Sequence, residues 1–171
     1  MADTLLYDLA ERAGHALEQQ RWLLTTAESC TGGWVAEAIT MVPGSSAWFD
    51  RGFVTYTNTS KREMLGVRSE TLEQHGAVSE AVVREMVAGA LEASQAHVAI
   101  AVSGVAGPGG GTPQKPVGTV CLAWGVKDSP ARAETRHFTG DREAVRRQSV
   151  VHALEVLIEE LAQRASGGRP A

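Results

Sequence analysis

Ala27-Glu28-Ser29-Cys30-Thr31-Gly32-Gly33 is a polar corner between two different kinds of sequence. Before it runs Trp22-Leu23-Leu24-Thr25-Thr26, short and β-prone. After it, Trp34-Val35-Ala36-Glu37-Ala38-Ile39 repeats its apolar residues at helical spacing. A strand-to-helix corner is where open α/β sheets carry their chemistry, because the free N–H groups of the helix face the crevice beyond the strand end. Ser29 stands on this corner as a candidate nucleophile, and Gly32 and Gly33 let a ligand approach the backbone closely. The same serine also suits a plain helix cap. The pattern is not the esterase elbow, which sets glycines two before and two after its serine; Ala27 and Thr31 stand there instead.

Working outward, Leu5, Leu6, Leu9, Ala13, Ala16 and Leu17 predict an amphipathic helix over 3–20. A strand is expected at 22–28 and a helix from the corner to Met41, broken by Val42-Pro43-Gly44-Ser45-Ser46. Residues 49–57 read as a second strand. Asn58-Thr59-Ser60 looks like a cap for a short helix from Lys61 to Leu65, closed by Gly66. Ser69 and Ser79 each precede a helical run, the second with Val82, Val83, Met86, Val87, Ala90 and Leu91 on one face. His97 to Ser103 is nearly continuous apolar sequence, as expected of a strand covered on both faces. A glycine- and proline-rich loop follows, then a buried strand at 117–126, a more polar edge strand at 133–138, and a last helix from Asp141 to about Ala165. Together these predict a three-layer α/β/α fold with a mixed sheet of five or six strands.

The chain of 171 residues is long enough for one domain, expected at 1–165, with a disordered tail at 166–171. Its net charge of −4 argues against general nucleic-acid binding, which needs a basic face. The two cysteines, Cys30 and Cys121, lie far apart, so a reduced, cytoplasmic setting without a disulfide is expected. No basic segment followed by an apolar one opens the chain, and no run of about 18 apolar residues occurs, so neither export nor a membrane partner is expected.

A serine nucleophile needs a base. His15 and His152 fall on helices, His97 and His137 on strands and His75 at a helix end, and no pair has metal-ligand spacing. A lysine serves if its pKa falls from about 10.4 towards 7–8. Lys61 is the best placed, following the second strand close to Tyr56; its alternative is an ordinary solvated charge. Tyr56 and Lys61 are not spaced as the Tyr-x-x-x-Lys pair of short-chain dehydrogenases. The loop Ser103-Gly104-Val105-Ala106-Gly107-Pro108-Gly109-Gly110-Gly111-Thr112 lacks both the dinucleotide fingerprint and the phosphate-loop ending. It reads as a wrap around a ligand or as a plain connection. Arg142, Arg146 and Arg147 open the last helix, where cations oppose the helix dipole; an anionic ligand such as a phosphate would justify them, and so would a solvated face.

Over roughly residues 5–164 the chain resembles the CinA C-terminal-domain family, the nicotinamide-nucleotide amidohydrolases, in a stand-alone form. The resemblance is carried by Ala27–Gly33, Pro43-Gly44-Ser45-Ser46, Tyr56-Thr57-Asn58-Thr59-Ser60-Lys61, Gly76-Ala77-Val78-Ser79, Gly104–Gly110, Pro116-Val117-Gly118-Thr119-Val120 and Gly140-Asp141-Arg142, in that order. It implies hydrolysis of the carboxamide of nicotinamide mononucleotide to nicotinic acid mononucleotide and ammonia, with no metal or other cofactor, in a homo-oligomer of two or more chains. It implies Ser29 as nucleophile, Lys61 as acceptor of its proton and Tyr56 beside them. Substrate contacts are expected from Glu28, Thr31, Gly32, Gly33, Ser46, Gly104, Val105, Gly107 and Arg142, with an oxyanion held near Gly32 and Gly33. Two other readings fit the same residues: a nucleotide-binding regulatory protein without turnover, and an amidase of another substrate.

Overall fold

The computed structural model describes residues 3–167. Five strands, β1 (Leu24–Glu28), β2 (Phe49–Val54), β3 (Val98–Gly104), β4 (Thr119–Val126) and β5 (Arg132–His137), form one sheet in the order β2-β1-β3-β4-β5. β2, β1 and β3 run parallel; β4 and β5 are antiparallel to their neighbours. Helices α1 (Thr4–Gln20), α2 (Trp34–Thr40) and α6 (Arg142–Gly167) cover one face, and α3 (Asn58–Leu65), α4 (Ser69–His75) and α5 (Glu80–Glu92) the other. The expected mixed sheet and α/β/α layering are both present.

The layers follow from apolar spacing. Leu6, Leu9, Ala13 and Leu17 make one buried stripe on α1 and meet Val150, Leu154, Leu157 and Leu161 of α6 in the core on that face. On the other face Val82, Val83, Met86, Val87 and Ala90 of α5 pack on Ala99, Ala101, Cys121 and Ala123 of the sheet. The apolar run Val98–Val102 is fully buried, as a strand with helices on both sides requires. β1 is buried along its whole length although it carries Thr25, Thr26 and Glu28. Thr25 meets the cost of burial by donating to the Arg51 carbonyl at 2.8 Å, and Glu28 by bonds described below. β5 is polar and half exposed at an edge.

Several boundaries differ from the sequence reading: β1 starts at Leu24 and β4 at Thr119, each two residues later than expected, and three further ends move for visible reasons. β2 ends at Val54; Thr55 still donates its N–H to the Glu28 carbonyl of β1 at 2.8 Å, and the chain then turns into α3. α3 begins at Asn58, three residues early: Thr57 is its cap, and Thr57 and Ser60 exchange the reciprocal bonds of a capping box. α6 runs through Ser166 and Gly167, two residues into the stretch expected to be tail, while 168–171 lie outside the described residues. Among the described residues no helix is long and apolar enough to cross a membrane.

The topology gathers particular segments at one rim. The chain leaves β1 for β2 on one side and later returns to β3 on the other, so the C-terminal end of β1 is a switch point where a crevice opens. The Ser29 corner, the segment after β2 and the loop after β3 all emerge there. Because β4 is antiparallel to β3, the same rim receives the end of β5 and the first turn of α6.

Candidate functional site

Ser29 leaves the end of β1 with its N–H donated to the Val102 carbonyl of β3 at 2.9 Å. The turn then closes through Gly32 N–H to Ser29 O at 3.0 Å, with Gly32 at φ 61° and Gly33 at φ 102°. Side chains rarely adopt those angles, so the corner needs glycine at both positions. Gly33, not Ser29, is the N-cap of α2. The free end of that helix is served by Glu28, 1% exposed, whose carboxylate accepts from Val35 N–H at 2.8 Å, Ala36 N–H at 3.1 Å and the Thr31 hydroxyl at 2.7 Å. A carboxylate against the positive end of a helix is favourable, and these bonds compensate its burial. Neither the Glu28 nor the Thr31 side chain faces the crevice as a substrate contact; both are committed to holding the corner. Ser29 keeps its hydroxyl for another partner.

That partner is Lys61. Thr57 starts α3 where it does, and Lys61 then lies on the inner face of its first turns, 1% exposed. Its Nζ donates to Ser29 Oγ at 3.0 Å and to the Thr55 carbonyl at 2.9 Å, across 32 positions of sequence in the first case. Burial disfavours the ammonium and lowers the Lys61 pKa below its ordinary 10.5; Cys30 opposes this only as a thiolate. Burial pushes the Cys30 thiol up to about 12, with Glu28 adding to the rise, so the neighbouring sulfur stays protonated at neutral pH. A solvated surface lysine does not describe this residue.

Ser29 and Lys61 open into a pocket of about 220 Å³ walled also by Cys30, Tyr56, Asn58, Ser103, Gly104 and Arg142. Arg142 reaches over from α6, donating from Nη1 to the Gly107 carbonyl at 2.9 Å and from Nη2 to the Tyr56 hydroxyl oxygen at 2.7 Å. The guanidinium thus ties the segment after β2 to the loop after β3 at the pocket mouth. Ser103, 1% exposed, donates its hydroxyl to Ala77 O at 2.9 Å and fixes the pocket floor. Gly104 packs tightly: a Cβ there would stand 2.7 Å from the Val120 side chain.

The other expected contacts sort unevenly. Gly107 reaches the pocket only through the carbonyl that holds Arg142; its backbone walls an adjoining groove. Val105 is spent on the loop, donating to Thr119 O and accepting from Gly118 N–H, both at 2.8 Å. Ser46 does not join the pocket of its own chain. It lies in a 3₁₀ turn, Ser45–Ala47, just before β2, at the end of the sheet opposite Ser29, because β2 begins alongside Leu24. The three arginines also separate. Arg147 pairs with Asp3 at 2.6 Å and 3.0 Å, and Arg146 grips the carbonyls of Cys30 and Thr31, leaving Arg142 in the pocket wall. Asn58 and Ser103 line the pocket without having been singled out. Asn58 was hidden in what reads as a cap, whereas a serine closing an apolar strand beside a glycine loop was a visible signal. Among the described residues no three His, Cys, Asp or Glu side chains group as metal ligands.

The CinA C-terminal domain model matches residues 6–161. The chain belongs to this family. It is 53% identical over 163 residues to the nicotinamide-nucleotide amidohydrolase PncC of Escherichia coli strain K12, covering 95% of this chain and 99% of that one. It is 59% identical over 151 residues to the protein of the same name from Pseudomonas putida, covering 88% and 94%. The crystal structure of the competence/damage inducible protein CihA from Agrobacterium tumefaciens superposes with a TM-score of 0.89 at 45% identity, over 93% of this chain and 97% of that one. In this CinA domain the family match spans both halves of the pocket, from the Ser29 corner to the start of α6.

Proposed function

We propose that this protein hydrolyses the carboxamide of nicotinamide mononucleotide to nicotinic acid mononucleotide and ammonia, with Ser29 as nucleophile and Lys61 as its proton acceptor. The observation that carries this reading is the buried Lys61 Nζ at 3.0 Å from Ser29 Oγ. The names of the relatives from Escherichia coli and Pseudomonas putida support the substrate.

A lysine held from water favours the neutral amine. When Lys61 gives up its extra proton, one N–H stays on the Thr55 carbonyl and the 3.0 Å contact with Ser29 Oγ reverses, the amine lone pair accepting the serine O–H. Ser29 Oγ then attacks the carboxamide carbon while its proton passes to Lys61. The tetrahedral oxyanion is served by corner amides. Gly32 N–H is unavailable, since Ser29 O accepts it; the N–H groups of Cys30 and Thr31 donate to no acceptor among the described residues and take that role. Lys61 returns the proton to the departing nitrogen, which leaves as ammonia. Water then attacks the ester carbon, Lys61 takes its proton, and the proton returns to Ser29 as the acid departs.

The pocket is smaller than the roughly 300–1,000 Å³ of a site that encloses a whole ligand. It therefore takes the pyridine carboxamide, while the ribose and phosphate lie beyond the mouth, where Arg142 supplies positive charge. Tyr56 stands at that mouth with its ring half exposed and its hydroxyl oxygen held by Arg142, leaving the phenolic proton free to donate.

Ammonia release from nicotinamide mononucleotide, compared between wild type and Ser29→Ala, tests the proposal. Turnover by wild type and its loss in the variant support it; equal background rates in both would leave a binder without turnover.

A further inference from the structure

We propose that Arg146 is a positioning residue for the nucleophile, acting by clamping the Cys30–Thr31 and Thr31–Gly32 peptide planes of the corner just after Ser29; this rests on the serine reading above. Arg146 lies one helical turn beyond Arg142 on α6 but does not share its task. Its Nε donates to the Cys30 carbonyl at 3.0 Å and its Nη2 to the Thr31 carbonyl at 3.2 Å. The guanidinium lies over the Trp34 ring, 5.3 Å from the centroid. A planar fork stacked on an aromatic face and bonded along one edge has little freedom left.

The consequence follows from peptide geometry. In a trans peptide the C=O and N–H point in opposite directions. Fixing the Cys30 carbonyl towards α6 turns the Thr31 N–H away from α6. The cation also polarises that amide, which strengthens its N–H as a donor. The Thr31 carbonyl is held twice, by Arg146 and by Trp34 N–H at 3.0 Å, and its side chain is bound to Glu28. The corner needs such support because two successive glycines at positive φ make a soft turn. Slack there would move the Ser29 hydroxyl relative to Lys61 and the corner amides relative to the oxyanion. A cation in the early turns of a helix is unfavourable to the helix itself, and the clamp accounts for its presence.

The test compares Arg146→Met, Arg146→Lys and, as control, Arg147→Met, whose native side chain binds Asp3 away from the corner. Two readouts are taken on folded protein: steady-state amide hydrolysis, and the rate at which a fluorophosphonate labels Ser29 with release of fluoride. Misplacing reacting groups by about 1 Å costs up to about 100-fold, so Arg146→Met is expected to lose about 10- to 100-fold in kcat and in labelling rate, with KM within about threefold. Arg146→Lys, which keeps the charge but not the fork, should fall between, and Arg147→Met should match wild type. Unchanged kcat and labelling in both Arg146 variants would overturn the proposal, as would a rise confined to KM, which would make Arg146 a substrate contact. Labelling needs no amide substrate. Failure of the substrate assignment therefore shows as wild-type labelling without amide turnover, and failure of the serine reading as labelling that survives Ser29→Ala.

Discussion

Replacing Lys61 by methionine separates what the buried amine does for the reaction from what it does to the fold. Methionine keeps nearly the length of the side chain and removes Nζ. Two hydrogen bonds disappear, to Ser29 Oγ at 3.0 Å and to Thr55 O at 2.9 Å, each worth about 1 kcal/mol net. Against this loss of about 2 kcal/mol stands the cost of taking the lysine out of water, either as the ammonium or by giving up its proton, which is several kcal/mol for a group that is 1% exposed. The balance favours the variant by about 1–3 kcal/mol, and at 2–4 °C per kcal/mol for a domain of this size Tm should rise by several degrees. Activity should move the other way. A positioned general base contributes about 100- to 10,000-fold, so kcat should fall by that factor while KM barely changes. Thermal unfolding at neutral pH and ammonia release, both on purified Lys61→Met, measure the two effects. A variant within about tenfold of wild-type kcat would refute Lys61 as the base, and a variant that unfolds at lower temperature than wild type would refute the desolvation argument.

Three further outcomes follow from the same geometry. Because burial lowers the Lys61 pKa, the folded protein binds fewer protons at this site than the unfolded chain; its stability should rise with pH between the lowered value and 10.5 and fall towards acid, as should kcat/KM through the folded pKa. Denaturant midpoints at about pH 7 and about pH 9.5 check this, and Lys61→Met should lose that slope. Arg142→Met removes a cation at the mouth worth about 1.5–3 kcal/mol to an anion, so KM for the mononucleotide should rise about 10- to 100-fold while KM for a pyridine carboxamide lacking phosphate changes little. Glu28→Ala strips α2 of its buried acceptor and should cost about 3 kcal/mol or more, seen as a Tm lower by at least about 6 °C, with KM unchanged in what remains folded.

The sequence carried the order of the elements and the corner itself because both rest on local signals: apolar period, caps and glycines. The convergence of Ser29 with Lys61 at one rim follows from strand order, and the parallel β2-β1-β3 arrangement delivers it. Burial of Lys61 was not legible. Asn58-Thr59-Ser60-Lys61-Arg62-Glu63 is polar throughout and reads as surface, yet α3 turns that one residue under the rim. Glu28 reads as a substrate contact for a related reason. An acid beside a catalytic-looking serine suggests substrate, whereas its carboxylate reaches seven and eight residues forward to cap the next helix. Ser46 lies outside the pocket of its own chain because a motif carries no direction; it belongs to the entry of β2, and the crevice lies at the exits. The three arginines of α6 were alike by sequence, and only their neighbours separate them: Asp3 for Arg147, the corner carbonyls for Arg146 and the pocket mouth for Arg142.

Mass spectrometry of enzyme quenched in acid during turnover of nicotinamide mononucleotide bears most directly on the serine–lysine pair. The predicted result is an ester of nicotinic acid mononucleotide on the peptide containing Ser29, absent from Ser29→Ala. Ammonia release at the full rate with no adduct on that peptide, under quench conditions that preserve such esters, would contradict the account.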